Sequence, residues 1–186
     1  KTMVLKDMPF DALLIELQQG SIAIIAAGMT PTEERALRVL FTKPYLTGDP
    51  LVAITRKKIF KPASVDDLQH KKVVVVEGYT SDLYISKKPN ITLNRVGNIS
   101  EALLSLISGR SDALVTAKSP VMPFFREHPE HNEEDFHFLP LEQQTETCAL
   151  AVSKKFPDLL VSVQRMLDEM VEDGTMADLK RKWGLA

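Results

Sequence analysis

IAIIAAGMTPTEER, residues 22–35, decides how the rest of the chain reads. Ile22, Ile24 and Ile25 are β-branched and sit among alanines, the composition of a strand covered on both faces, as in a parallel sheet. Such strands end at a ligand crevice. Gly28 lets the backbone come close to a ligand, Thr30 is a good N-cap, and Pro31 suits the first position of a helix. Backbone N–H groups at that helix start favour an anion. Arg35 follows Thr30 by five residues, so its guanidinium reaches back over little more than one turn to grip a carboxylate with two bonds. The same residues also make an ordinary capped strand-to-helix turn with a surface arginine, and the stretch alone leaves both readings open.

The 186 residues suffice for one domain or two small ones with a real core. An apolar share of 44% and a charged share of 26% are those of a globular chain. A net charge of −2 without a long basic run argues against nucleic acid as a partner. No apolar segment approaches the roughly 20 residues that span a bilayer, and no signal peptide opens the sequence. Cys148 is the only cysteine, so an internal disulfide or cysteine-based zinc cluster is excluded; in its apolar run it reads as a buried, inert thiol.

Outward from the central stretch, residues 3–5 read as a short strand and residues 9–19 as an amphipathic helix ended by Gly20. Downstream, residues 33–40 read as a helix and 51–55 as an extended run after a Pro- and Gly-punctuated loop. A short helix capped by Ser64 precedes the four valines 73–76, a strand of the fully buried kind. That strand ends in Glu77-Gly78-Tyr79-Thr80-Ser81, which repeats the strand end, glycine and hydroxyl of the first turn. The echo predicts an α/β chain of two lobes, each presenting a strand end and a helix start to a shared cleft. Residues 91–96, 100–108 and 112–116 then give strand, helix and strand with parallel spacing, the helix lined by Leu103, Leu104 and Ile107. Residues 136–139 and 148–152 read as separate strands, and helices over 156–172 and 176–183 close the chain, the last anchored by Trp183.

The blocks MPFDALLIELQQG (8–20), IIAAGMTPTEER (24–35), KKVVVVEGYTSDLY (71–84), ISEALLSLISGRSDALV (99–115), CALAVSKK (148–155) and MVEDGTMADLKRKWG (170–184) together resemble the amino-acid-binding branch, family 3, of the periplasmic solute-binding proteins that serve ABC importers. The resemblance covers nearly the whole chain. It implies two α/β lobes on a hinge of two crossing strands, lobe one being residues 1–50 plus 153–186, the hinge 51–55 and 147–152, and lobe two 56–146. It implies an extracytoplasmic or periplasmic home, including a lipoprotein anchored to the membrane, and an ABC permease as partner. Residue by residue, Phe10 matches the aromatic that packs on the ligand side chain, while Ala27, Gly28 and Thr30 match the positions that hold the ligand carboxylate. Arg35 matches its arginine partner. Gly78, Tyr79 and Thr80 match the second turn, flanked by Val76 and Ser81. Read on their own, Phe10 is also a core residue and Thr80 also a helix cap.

Two departures from the family stand out. The acid that pairs with the ligand's α-ammonium falls at Ala117, or at Lys118 if one residue is inserted, and neither is acidic. A desolvated ammonium without a carboxylate is costly, so either Glu77 or Glu146 takes over or the ligand is not a standard α-amino acid; ordinary amino acids are expected to bind weakly. The family's first strand, aromatic loop and helix would also precede Lys1, and without them the chain is expected to dimerise, by strand exchange or otherwise.

His128, Glu130, His131 and the acids that follow read as a solvated loop, since Pro129 interrupts any helical ligand spacing. No metal or cofactor is called for. An enzyme needs an acid and a base facing the cleft, and Glu77 alone stands at a strand end, so the chain reads as a binding protein. The alternative is a sensor or interaction domain, or truncated form, that kept this fold and lost its ligand.

Overall fold

The computed structural model describes residues 2–185, with the side chains of residues 142–144 left aside. The chain divides by packing into two units, Lys1–Asp11 with Asp49–Glu146 and Ala12–Gly48 with Thr147–Ala186. The order is α1 (Phe10–Gln19), β1 (Ile24–Met29), α2 (Glu33–Arg38), β2 (Leu40–Phe41), β3 (Leu46–Arg56), β4 (Lys72–Val76), α3 (Thr80–Ile85), β5 (Thr92–Val96), α4 (Ile99–Ile107), β6 (Ala113–Ala117), α5 (Met122–Glu127), β7 (Phe136–Val152), α6 (Pro157–Glu172) and α7 (Thr175–Trp183), with short 3-10 turns between. The unit boundaries fall inside α1, β3 and β7.

In the unit built on Asp49–Glu146, β3, β6, β4 and β5 lie side by side. β4 pairs parallel with both β5 and β6, as the strand-helix-strand spacing requires, while β3 runs antiparallel to β6. The two-residue period of the strands splits this sheet's side chains between two cores. Leu51, Ala53, Val73, Val75, Val115 and Ala117 pack to one side against Ile85 of α3, and Val52, Ile54, Val74, Val76 and Leu114 to the other against Leu103 and Leu106 of α4. Coverage of both faces is why the valine run carries no polar alternation.

In the other unit, the end of β7 pairs antiparallel with β1 and with β2. Helix α1 buries Leu13 and Leu17, four residues apart on one face.

Several sequence expectations are corrected. Residues 2–9 form no regular element, and Met3, Val4 and Leu5 are at least 76% exposed, because a three-residue apolar run without a ladder cannot hold itself as a strand. β7 is one continuous strand where two were expected: the polar residues between the apolar runs do not stop the backbone from laddering. α2 ends at Arg38, and Leu40–Phe41 is already strand. α4 starts one residue earlier than expected, because Asn98 caps it by accepting the Glu101 N–H at 2.9 Å, and Leu104 points outward while Ala102, Leu103 and Leu106 are buried. Trp183 is 55% exposed with Lys182 over its ring, so it does not anchor the last helix.

Candidate functional site

The expected ligand residues fall into one set in each unit. Ala27, Gly28, Thr30 and Arg35 lie in the unit of α2, and Phe10, Val76, Gly78, Tyr79, Thr80 and Ala117 in the unit of β4.

In the first set, β1 leaves its ladder. Ile25 stands opposite Ala151 and Met29 opposite Ala149, so β1 uses four residues where β7 uses two. Three residues, Ala26, Ala27 and Gly28, thus face the single Leu150 and are exposed between the buried Ile25 and Met29, with Gly28 at φ +62°. A bulge of this kind takes main-chain groups out of strand pairing.

The turn that follows differs from expectation in its cap. Thr32, not Thr30, is the N-cap of α2, its hydroxyl accepting the Arg35 N–H at 3.2 Å. Thr30 contributes its carbonyl, which accepts a hydrogen bond from Arg35 Nη1 at 2.8 Å. The guanidinium therefore does fold back over the turn, and Arg35 is only 6% exposed. A planar, permanently charged fork held in this way suits a carboxylate.

Tyr45 belongs to the same neighbourhood and was not read from the sequence. Burial pushes its phenol pKa above the usual value, the charge of a Cys148 thiolate adds to this, and a hydrogen bond from the Gly28 backbone opposes it. Cys148 is buried as expected, and its carbonyl accepts the Tyr45 N–H.

In the second set, the Phe10 ring meets Tyr79 edge-on, with centroids 4.5 Å apart and planes at 65°. Gly78 at φ +76° makes the sharp exit from β4, a conformation that favours glycine. A side chain there would come within 3.7 Å of the Asp11 main chain, so the turn and the start of α1 pack against each other. Tyr79, in extended conformation, is the N-cap of α3, which makes Thr80 the first helical residue and not its cap. Thr80 and Tyr79 are half-buried, whereas Val76 and Ala117 lie in the two cores of the sheet.

Of the two acids weighed for an amine, Glu77 is exposed and Glu146 is 8% exposed. Burial raises the Tyr79 pKa, and the negative charge of Glu146 raises it further.

Sequence reading missed Asp82. Its carboxylate accepts the Gly78 N–H at 3.2 Å, and the available signal was its position as the acid in the first turn of α3. Among the described residues, no group of three or more histidine, cysteine or acidic side chains stands together as a metal site, and no helix is long and apolar enough to cross a membrane. His128 and Glu130 pair at 3.1 Å on an exposed loop.

The family model for bacterial extracellular solute-binding proteins, family 3, matches residues 2–186. The chain belongs to this family. The putative ABC transporter arginine-binding protein 2 of Escherichia coli is 28% identical over 183 residues, covering 98% of this chain and 74% of the relative. An ancestral arginine-binding protein solved with arginine bound superposes with a TM-score of 0.86 at 32% identity, over 96% of this chain and 78% of the other. An ancestral amino-acid-binding protein described as a precursor of cyclohexadienyl dehydratase gives 0.80 at 31% identity, over 95% and 75%. The α/β, two-lobed architecture expected from the sequence is that of these binding proteins.

Proposed function

We propose that this solute-binding protein works outside the cytoplasm, captures an amino acid or related small carboxylate without covalent chemistry, and delivers it to the permease of an ABC importer. The observation that carries the reading is the buried Arg35 guanidinium folded onto the Thr30 carbonyl beside the bulge of Ala27 and Gly28. In a family of solute-binding proteins, this is a ready receptor for a carboxylate. The Phe10–Tyr79 pair and the Thr80 hydroxyl supply an apolar surface and a polar group of the kind that recognise a side chain.

The absence of an acid at position 117 bears on which carboxylates bind well. An α-ammonium brought against Ala117 loses its water and gains no counter-charge there. Ordinary α-amino acids are accordingly weak ligands, and des-amino carboxylates of the same side chain bind comparably or better.

Calorimetry on matched pairs, each an amino acid and its des-amino acid, tests this. Ala117→Asp should tighten the amino acid about tenfold or more and weaken its des-amino partner, because a charge-assisted pair is worth about 1.5–3 kcal/mol. Tight binding of an ordinary amino acid by the parent protein would refute the ligand-class reading.

A further inference from the structure

We propose that Asp82 is a positioning residue that holds the turn Gly78-Tyr79-Thr80 in its ligand-competent shape. The inference rests on the proposed assignment of that turn to ligand recognition. Asp82 is 6% exposed, and its two carboxylate oxygens hold three elements together. Oδ2 accepts the Gly78 N–H at 3.2 Å, and Oδ1 accepts the Ser86 hydroxyl at 3.0 Å. Arg95 Nε on β5 donates to both oxygens, at 3.0 and 3.2 Å, while its Nη2 donates to Ser86 Oγ at 2.8 Å. Arg95 itself is fixed by strand register, since it stands opposite Val75, three residues before Gly78.

The carboxylate thus ties the first residue of the turn to the helix that leaves it and to the strand beside it. Gly78 needs such a tie more than another residue would. Glycine samples a broad range of backbone conformations, so φ +76° is one choice among many unless its N–H is held. Tyr79 and Thr80 follow directly, and their directions depend on that one residue. Charge-assisted hydrogen bonds to a buried acceptor are strong enough to hold it, and fixing the turn before the ligand arrives removes an ordering penalty from binding. Asp82 touches no ligand in this account and acts through Gly78.

The test compares Asp82→Leu, which keeps the size and removes the acceptor, with Asp82→Asn, which keeps an acceptor oxygen and removes the charge. Asp112→Ala is the control, because Asp112 also accepts a main-chain N–H in this unit, from Lys72 at 2.8 Å, away from the turn. Amide hydrogen exchange of the ligand-free parent should show the Gly78 N–H protected at least about a hundredfold. Affinity for the best carboxylate in the panel should fall about tenfold or more in Asp82→Leu, by threefold or less in Asp82→Asn, and should be unchanged in Asp112→Ala whatever its stability. A parent Gly78 amide exchanging at the unprotected rate overturns the proposal even if Asp82→Leu fails to fold. A parent that binds nothing in the panel overturns the ligand reading on which the proposal stands. With the parent binding, an Asp82→Leu protein of undiminished affinity overturns the role of Asp82 alone.

Discussion

Gly78 opens the turn by which the chain leaves β4, in left-handed backbone. An alanine at position 78 would meet its neighbours at ordinary van der Waals distance, so its penalty is the left-handed backbone at φ +76°, about 1–2 kcal/mol. Urea unfolding of Gly78→Ala should show a loss of that size. Tyr79 couples the same turn to pH. Its phenol is held protonated by burial first and by the Glu146 charge second, so its folded pKa lies above the ordinary value near 10. The folded state therefore keeps a proton that the unfolded state releases first, and this contribution is intact below pH 10 and lost as pH rises through the folded pKa. Urea midpoints measured from pH 9 to pH 11.5 should fall less steeply in Tyr79→Phe than in the parent. Tyr45, raised by burial in the other unit, adds a second phenol with the same sign.

At the scale of elements, Lys154 and Lys155 bind the ends of two helices. Lys155 Nζ donates to the Gln19 carbonyl at the end of α1, and Lys154 Nζ to the Leu37 carbonyl in the last turn of α2, each at 2.6 Å. Cations at helix C-termini satisfy orphan carbonyls and oppose the helix dipole. Each change to methionine should cost about 0.3–1 kcal/mol in thermal or urea unfolding, and less in high salt. Truncating the core-facing Leu103 of α4 to alanine should cost about 2–5 kcal/mol, since it is fully buried. The contrast shows what the sequence disclosed. Buried strands such as β4, the helix stop at Gly20 and the parallel spacing around α4 follow from local pattern and were legible. The role of the two lysines was not, because their acceptors lie more than a hundred residues away in sequence. The shift of the cap from Thr30 to Thr32 was equally hidden, since both are threonines beside Pro31 and only the Arg35 N–H decides between them.

For the molecule as a whole, family membership and fold were readable from ordered blocks. What escaped was the bonding around the expected residues: Asp82 accepts from Gly78 within its own turn, but its pairing with Arg95 on β5 and the burial of Tyr45 arise only when the chain folds. The central claim is capture of a carboxylate through Arg35, and ligand binding must then stabilise the folded chain by mass action. Isothermal titration of the parent and of Arg35→Lys with the matched amino-acid and des-amino panel tests it most directly. At least one carboxylate should bind the parent and bind Arg35→Lys about tenfold or more weakly, because lysine keeps the charge and loses the two-pronged grip. A panel without binding, or a best ligand whose affinity is the same in Arg35→Lys, would contradict it.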